Sequence, residues 1–411
     1  MNIPFVAITT RGTHPMPSQD GTSNRRDRGQ IIVIMVGGII AMFTMVGLIV
    51  DGGNAFANQR NTQNGTDAAA DAGATMLAQN FSGTGYSQVK NDHDVQIAVS
   101  GAITGNGLNG YRAYYTDVRG QMLNMGGNPT TTTPSAVEVG SGTIPPCLDT
   151  NSCVDGYASG VRVFGDKTIN TFVARIIGMT TIGIAADATA VSGYLTNGCD
   201  AGAGCNVLPV TFPVTTVSCD GSNNPIQTVD PYVVGTHYSI PLCKNGPGNV
   251  GWLDWTPTAG GTSELEAAVT NASNPAVPLP SWQYITSTGN INSSGVEDAI
   301  NNCCAGGIVL IPQFDSTCDV EPAGNNKGDC PVGHVGGTGS NQYYHIPAFS
   351  AILLDSPKAA YISGSNPECD TGNGATSCLK GTFVNFITTG TVGPGTGNGN
   401  PTAVIGVQLI R

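Results

Sequence analysis

Few residues in this 411-residue chain have the types and spacing that catalysis requires. The most suggestive group is Tyr343-Tyr344-His345 with Ser350, because a serine nucleophile needs a histidine base within hydrogen-bonding reach. No sequence pattern places the two side chains together, and the motifs of serine hydrolases, zinc proteases and P-loop proteins do not occur in the sequence. We therefore interpret the histidines that follow the apolar N-terminal segment as structural: His93, His237, His334 and His345.

Two further patterns look like ligand-binding motifs. Residues 105–110 read G-x-G-x-x-G, but no convincing strand precedes them and no long helix follows, so we interpret them as a turn. Asp220, Asp315 and Asp319 lie in loops of a kind that can bind calcium, yet EF-hand spacing is absent and turn chemistry explains them equally well. We expect no cofactor, no metal and no enzymatic activity.

The twelve cysteines all lie between Cys147 and Cys378. They all follow the apolar segment at residues 30–50, which predicts that this region is exported. An even number of cysteines in an exported region predicts disulfides. Five pairs are suggested by local spacing, and the adjacent Cys303 and Cys304 either bridge each other or pair elsewhere. The sequence does not determine the connectivity. The suggested pairs are Cys147 with Cys153, Cys199 with Cys205, Cys219 with Cys243, Cys318 with Cys330, and Cys369 with Cys378.

The composition is unusual for a cytosolic enzyme. Charged residues make up 11% of the chain, less than half the usual fraction of about a quarter. The net charge is −12, and the basic residues are scattered instead of gathered on one segment. Because a nucleic-acid-binding surface needs clustered lysine and arginine, we expect no nucleic-acid partner.

Residues 30–50 form an apolar run without a charge. As a helix rising 1.5 Å per residue, such a run spans the roughly 30 Å hydrocarbon core of a bilayer. Arg25, Arg26 and Arg28 precede the run, and Asp51 follows it. The positive-inside rule then keeps residues 1–29 in the cytoplasm. The sequence therefore predicts a single-pass membrane protein with its N-terminus inside and an extracytoplasmic ectodomain.

A cleaved secretory signal is the alternative to a permanent anchor. Ala55-Phe56-Ala57 has the A-x-A pattern that signal peptidase recognises. The apolar run is, however, longer than the roughly 7–15 residues of a signal-peptide core, and it is followed by sequence typical of an uninterrupted helix. We therefore favour the anchor.

Residues 51–80 are rich in alanine and contain no proline, so the membrane helix is predicted to continue to about Gln79 as a rod of about 43 Å. Asp67 and Asp71, one turn apart, indicate a solvated or cation-paired stripe and not a pair of catalytic carboxylates. The small side chains of this stalk allow close approach of another backbone, which is either a partner helix or the chain's own ectodomain. These helix-packing residues are Ala68, Ala69, Ala70, Ala72, Gly73 and Ala74.

The sequence pattern of the ectodomain changes at residue 197, after which short apolar strings are separated by glycine, proline, asparagine and cysteine. Residues 81–196 predict a small α+β domain, and residues 197–411 predict a β-rich, disulfide-stapled domain. The fold class is thus α+β, preceded by the transmembrane helix and its exported stalk. In the first domain we expect helices at 86–103 and 168–178 and strands at 111–118, 161–164 and 182–195. In the second we expect strands at 207–217, 238–242, 308–311, 348–354, 382–387 and 403–409, and short helices at 264–269 and 294–301.

The N-terminal segments together resemble a known family. Arg28-Gly29-Gln30 precedes the apolar helix, Gly47-Leu48-Ile49-Val50-Asp51 ends it, and Gln63 and Asp67-Ala68-Ala69-Ala70-Asp71-Ala72-Gly73-Ala74 follow. This ordered set, over residues 26–80, resembles the N-terminal module of TadE/TadG-like proteins of the tight-adherence (Flp) pilus machinery. Weaker similarity continues through residues 161–163, 171–178 and 185–190.

The resemblance implies a location in the bacterial cytoplasmic membrane and a role in assembly or anchoring of Flp pili at the cell surface through protein contacts. It implies inner-membrane pilus-assembly and secretion proteins as partners, and self-association through the stalk helix. Longer TadG proteins carry a von Willebrand A domain with a D-x-S-x-S metal site, which residues 315–319 and 220–222 do not match, so we expect no such domain. Ile34 stands where prepilin processing after Gly29 would require glutamate. An exported hydrolase or sugar-binding module on a membrane anchor is the alternative function.

Overall fold

The computed structural model divides into two compact units, one of which contains the described residues up to Phe56 and Asn170–Ile182, and the other Ala57–Ile169 and Gly183–Arg411. The described residues are 27–81, 88–149, 156–196, 207–220, 225–242, 251–253, 262–270, 277–285, 293–336, 342–364, 366–369, 377–393 and 402–410.

The α-helices of the described residues are α1 Asp27–Phe81, α2 Gln88–Gly105, α3 Thr262–Thr270 and α4 Ser294–Cys304. Short 3-10 helices span Thr133–Ser135, Ala174–Ile177, Lys327–Asp329 and Pro367–Cys369.

The first strands are β1 Gly110–Thr116, β2 Met122–Leu123, β3 Pro129–Thr130, β4 Gly160–Asn170, β5 Thr181–Leu195, β6 Val210–Pro213, β7 Thr215–Cys219, β8 Pro225–Pro231, β9 His237–Pro241 and β10 Gly251–Trp252. They are followed by β11 Ser281–Ile285, β12 Ile308–Phe314, β13 Ser316–Cys318, β14 Gln342–Ile346, β15 Ala348–Leu354, β16 Ala360–Tyr361, β17 Cys378–Val384, β18 Ile387–Thr389, β19 Val392–Gly393 and β20 Ile405–Ile410.

Helix α1 is one continuous helix of 55 residues, as the absence of proline predicts. Within the larger unit its residues from Thr62 to Ala78 bury one face, with buried positions recurring every three or four residues. These buried side chains belong to the same hydrophobic core as Val95 and Val99 of α2 and Val161 of β4. This half of the predicted stalk is therefore part of a folded core and does not stand alone as a rod.

The first sheet has the order β18-β20-β5-β4-β1-β2-β3, with β19 also pairing with β5. Strands β1 and β4 pair antiparallel with Tyr115 opposite Val161, and β20 pairs antiparallel with β5 with Ile405 opposite Tyr194. Strands from both sides of the predicted boundary at residue 197 thus share one sheet, because the end of the chain returns to β5. The division of the chain into domains stays a prediction.

A second sheet has the order β10-β6-β12-β15-β17-β16, with β9 also pairing with β17. Its core includes the fully buried Phe212, Ile311 and Phe383. Helices α3 and α4 contribute Leu265, Val296 and Ile300 to this core. The smaller sheets are β11-β14-β13 and β7-β8.

The cysteines of the described residues are all disulfide-bonded. Bonds join Cys318 to Cys330, Cys369 to Cys378, and the adjacent Cys303 to Cys304. Cys147 and Cys219 are disulfide-bonded as well. The remaining cysteines lie outside the described residues: Cys153, Cys199, Cys205 and Cys243.

The helix predicted at 168–178 is wrong. Strand β4 continues to Asn170, and only Ala174–Ile177 forms a single 3-10 turn, which ends at Gly178 with φ 89°. The β-branched Thr168 and Ile169 favour a strand, and the left-handed glycine stops the turn.

Candidate functional site at the end of the apolar helix

The first half of α1 presents its apolar side chains to the outside. The large side chains from Ile31 to Val50 are exposed, Leu48 by 75% and Ile49 by 72%. Such a continuous apolar surface on a helix is typical of contact with lipid. The helix is long and apolar enough to cross a membrane. Of the residues that predict its orientation, Arg25 and Arg26 lie outside the described residues, and only the backbone of Arg28 is described.

Asp51, the first acidic residue after the apolar run, binds a distant segment of the chain. Its Oδ1 accepts a hydrogen bond from the backbone N–H of Phe172 at 2.7 Å, and its Oδ2 accepts from Val173 at 3.0 Å and Ala174 at 2.6 Å. The carboxylate therefore satisfies backbone donors at the start of the 3-10 turn, as a capping side chain does. Asp51 is almost completely buried by this contact.

Gly47 makes the second contact with the same segment. It lies four residues before Asp51, and hence on the same face of α1. A Cβ atom on Gly47 would lie 2.9 Å from Cβ of Val173, which is too close, so glycine is required where the valine packs on the helix. We call Gly47, Asp51 and residues 172–174 the membrane-edge clasp. The clasp joins residues 47–51 to residues 171–178. Both segments resemble the TadE/TadG-like family in sequence, and the structure shows that they are in contact.

Farther along α1, glutamine side chains bind strand β5. The amide of Gln59 donates to the carbonyl of Ala185 at 3.0 Å, and that of Gln63 donates to the carbonyl of Asp187 at 3.1 Å and to Oδ1 of Asp67 at 2.7 Å. These carbonyls lie before the part of β5 that pairs with β20. Gln63 of the family pattern thus docks the helix on the sheet, and Asp67 accepts a hydrogen bond from the same amide.

The structure divides the predicted helix-packing residues between two faces of α1. Ala69, Ala70, Gly73 and Ala74 are buried in the chain's own core, whereas Ala68 is exposed and Ala72 is half-buried. A Cβ on Gly73 would lie 2.9 Å from Cγ2 of Val99 and 3.0 Å from Cγ2 of Val161. The close backbone approach at Gly73 is therefore made within the chain, and contact with a partner helix stays a prediction for the exposed face.

An open cleft of about 750 Å³ lies beside this part of α1. Arg60, Arg119 and Arg162 line it together with Asp67 and Asp187. Arg162 donates to Oδ2 of Asp187 at 2.7 Å, so part of the positive charge is already neutralised. Because the lining carries both charges, this cleft favours neither an anionic nor a cationic ligand. A second cleft is lined by Arg112 and Tyr114, and no histidine of the described residues lines either cleft.

Three of the four predicted structural histidines pair with separate carboxylates, and the fourth, His93, lies exposed on α2. His237 pairs with Asp355, His334 with Asp319, and the buried His345 with Asp315 at 2.6 Å.

Burial favours the neutral acid of Asp315, but the hydrogen bond with His345 keeps the pKa of Asp315 below its usual value. Oγ of Ser350 bonds to Gln313 and Thr402, and no hydrogen bond joins it to His345 among the described residues. This arrangement lacks the nucleophile–base pair of a hydrolase. Within the described ranges, no three histidine, cysteine, aspartate or glutamate side chains are grouped to hold a metal ion.

Glu297 is a buried acid for which the sequence carries no recognisable signal. It lies on α4, and its carboxylate accepts hydrogen bonds from the backbone N–H groups of Ile362 and Ser363 at 2.9 and 2.7 Å. Lys358 donates to the other oxygen at 2.5 Å. Burial alone would raise the pKa of Glu297, but these hydrogen bonds outweigh it and lower the pKa to about 2. Its role is to hold residues 358–363 against α4.

Glu297 is expected to make stability depend on acid pH. Because its pKa is lower in the folded than in the unfolded chain, the ionised carboxylate stabilises the fold above its ordinary pKa of 4.5, and this contribution is lost as the pH falls toward 2. Glu297→Gln should lower the free energy of unfolding at neutral pH by about 1–2 kcal/mol, since it replaces charged hydrogen bonds with neutral ones.

Urea unfolding of the full chain in detergent at several pH values measures this effect, and the exposed Glu138→Gln is the matched control. An equal dependence on pH in Glu297→Gln and the parent would show that another group is responsible.

Comparison with family models gives a match for the N-terminal segment of the chain. No curated protein and no solved structure matches the chain significantly. Residues 29–76 match the Tad family, described as Flp pilus-assembly TadE/G-like. The match covers the apolar half of α1, Gly47 and Asp51 of the clasp, and the glutamines that dock the helix on β5. The N-terminal module of this chain is therefore TadE/G-like and relates the protein to Flp pilus assembly.

Proposed function

We propose that the protein is a membrane-anchored, surface-exposed component that assists assembly or anchoring of Flp pili through protein contacts. The observation that carries this proposal is that the TadE/G-like segment is one helix with two different surfaces. Residues 31–46 are exposed on all sides of the helix, whereas residues 62–78 bury one face in a folded core. A helix built in this way is suited to connect a bilayer with a folded domain.

The direction of the helix supports an extracytoplasmic location for the folded part. Arg25, Arg26 and Arg28 precede the apolar run, and the first charge after it is Asp51. By the positive-inside rule the N-terminus lies in the cytoplasm and the folded part lies outside. Disulfides such as Cys318–Cys330 and Cys369–Cys378 persist in that oxidising environment.

The exposed face of α1 is the surface we assign to partners. Ala68 lies on this face, while its neighbours Ala69 and Ala70 are buried. Inner-membrane pilus-assembly and secretion proteins, or a second copy of the chain, are the partners that fit a membrane-anchored helix. The separate pairing of the histidines and the mixed charge of the cleft provide no support for the alternative of a hydrolase or sugar-binding module.

A deletion strain tests the function. We expect the full-length chain to remain in the membrane fraction after carbonate washing, because residues 30–50 span the bilayer. We expect its deletion to abolish surface Flp pili and the full chain to restore them. As a matched control, the exposed Val332→Ser should restore pili equally well.

Two results would contradict the proposal. A mature protein that begins at Asn58 would show that residues 30–50 are a cleaved signal, and normal piliation of the deletion strain would exclude a role in pilus assembly.

A further inference from the structure

The turn that carries the clasp exposes large apolar side chains. Phe172 is 68% exposed, Ile176 is 83% exposed and Met179 is 55% exposed. Three such side chains within eight residues are costly to leave in water, because each forfeits the free energy of burial. We refer to residues 171–180 as the membrane-edge turn.

The membrane-edge turn has a defined shape. The N–H of Thr171 donates to the carbonyl of Thr180, and that of Met179 donates to the carbonyl of Ala174, both at 3.1 Å. Gly178 adopts φ 89°, which a residue with a Cβ rarely does, and its N–H bonds to the carbonyl of Arg175 at 3.1 Å. The turn is thus held by hydrogen bonds within its own backbone and by those from residues 172–174 to Asp51, while Phe172, Ile176 and Met179 stay exposed.

The clasp places this turn at the end of the apolar run of α1. Val173 packs on Gly47, which lies inside residues 30–50, and the carboxylate of Asp51 caps the turn directly after them. Gly47 and Asp51 are about 6 Å apart along the helix axis. Leu48 and Ile49 of α1 are exposed and belong to the same compact unit as the turn. Exposed apolar side chains of both elements are therefore found where the apolar run of α1 ends.

The composition of the turn fits the boundary between lipid headgroups and acyl chains. Residues 171–180 contain no acidic side chain and one basic side chain, Arg175, which is exposed. An arginine at this depth extends its guanidinium toward phosphate while its aliphatic part stays apolar. Apolar side chains beside a cationic one are also the features by which interfacial segments bind membranes.

We propose that the membrane-edge turn inserts Phe172, Ile176 and Met179 into the bilayer, in the leaflet where the apolar run of α1 ends. The protein then contacts the membrane twice, through a spanning helix and through a turn fixed to it by Asp51. This second contact limits how far the helix can tilt. The inference rests on α1 as the membrane anchor and is independent of any role in pilus assembly.

Photo-crosslinking of the full chain tests the insertion. The substitution Ile176→p-benzoylphenylalanine is made in the chain reconstituted in vesicles of phosphatidylethanolamine and phosphatidylglycerol. We expect covalent phospholipid adducts several-fold above those of Val332→p-benzoylphenylalanine, the matched control at an exposed valine of the other compact unit. Adducts to protein alone, with lipid labelling no higher than in the control, would assign the turn to a protein partner and overturn the inference.

Fluorescence provides a second readout with a conservative substitution. Phe172→Trp keeps an aromatic side chain at an exposed position, so the fold is retained. We expect lipids brominated near the headgroup to quench its fluorescence beyond the quenching of the parent, which contains Trp252, Trp255 and Trp282. Absence of this additional quenching in a chain that resists carbonate extraction overturns the inference while leaving the membrane anchor intact.

Discussion

Gly73→Leu is expected to destabilise the fold strongly, whereas Ala68→Leu, on the same helix, should leave stability unchanged. A single Cβ atom at position 73 would already lie within 3.0 Å of Val99 and Val161, and leucine adds three further carbons to that site. Overpacking of a core typically costs about 1–3 kcal/mol, and we expect a loss at or above the upper end of this range. Ala68 is exposed, so a leucine there meets no side chain of the core.

The higher helix propensity of leucine should by itself stabilise the Gly73→Leu variant, which is opposite to the effect expected from overpacking. Replacing glycine by leucine favours the helix by somewhat less than about 1 kcal/mol, so any loss of stability must come from packing. Thermal unfolding of both variants in detergent measures the difference. A Gly73→Leu protein as stable as the parent would show that α1 does not pack on Val99 and Val161.

The same pair of variants separates packing within the chain from contact with a partner. Steric exclusion of a partner helix should be tested at Ala68, because Gly73→Leu acts on the chain's own core. If the exposed face binds a pilus-assembly protein, Ala68→Leu should reduce surface piliation while the protein stays folded and membrane-bound. Unchanged piliation in Ala68→Leu would remove this part of α1 from the partner surface.

Loss of the disulfides is the second change for which we expect a large effect. Cys318–Cys330 and Cys369–Cys378 close loops with sequence separations of 12 and 9, and the loop-closure entropy of such loops corresponds to about 3 kcal/mol for each bond. Losing both is comparable to the total stability of many domains, which is about 5–15 kcal/mol. Reduction should therefore unfold the regions around β13 and β17, which contain Cys318 and Cys378, under conditions in which the oxidised chain is stable.

A thiol titration and a matched variant check this expectation. The unfolded, unreduced protein should contain no more than two free thiols among its twelve cysteines. Replacing both Cys303 and Cys304 by serine is the control, because a bond between adjacent residues closes almost no loop and should contribute little. A titration that finds most cysteines free, or a reduced chain as stable as the oxidised one, would contradict the prediction.

Local features of the sequence predicted much of the secondary structure. The charge-free apolar run and the alanine-rich segment without proline predicted a helix to about Gln79, and α1 ends at Phe81. The helix predicted at 86–103 and the strand predicted at 348–354 correspond to α2 and β15. These predictions are confirmed because helix propensity, proline, glycine and hydrophobic periodicity act over a few neighbouring residues.

Features that join distant residues were decided by the tertiary structure. Asp51 and Phe172 are 121 positions apart, and nothing local in either segment predicts that the carboxylate caps the turn. The same contact explains why the helix predicted at 168–178 is wrong. Residues 168–170 belong to β4, Asp51 accepts hydrogen bonds from the backbone of residues 172–174, and Gly178 ends the turn. Local helix propensity is weak compared with hydrogen bonds of this kind.

The tertiary structure also determines which face of α1 is buried and which is exposed. Ala68 and Ala69 are chemically identical, yet one is exposed and the other is fully buried, because the position of α2 and β4 determines which face of the helix is covered. The sequence is sufficient to identify an alanine-rich helix after a membrane segment. Which alanines pack, and which remain exposed, depends on contacts with residues such as Val99 and Val161 that only the folded chain brings to the helix.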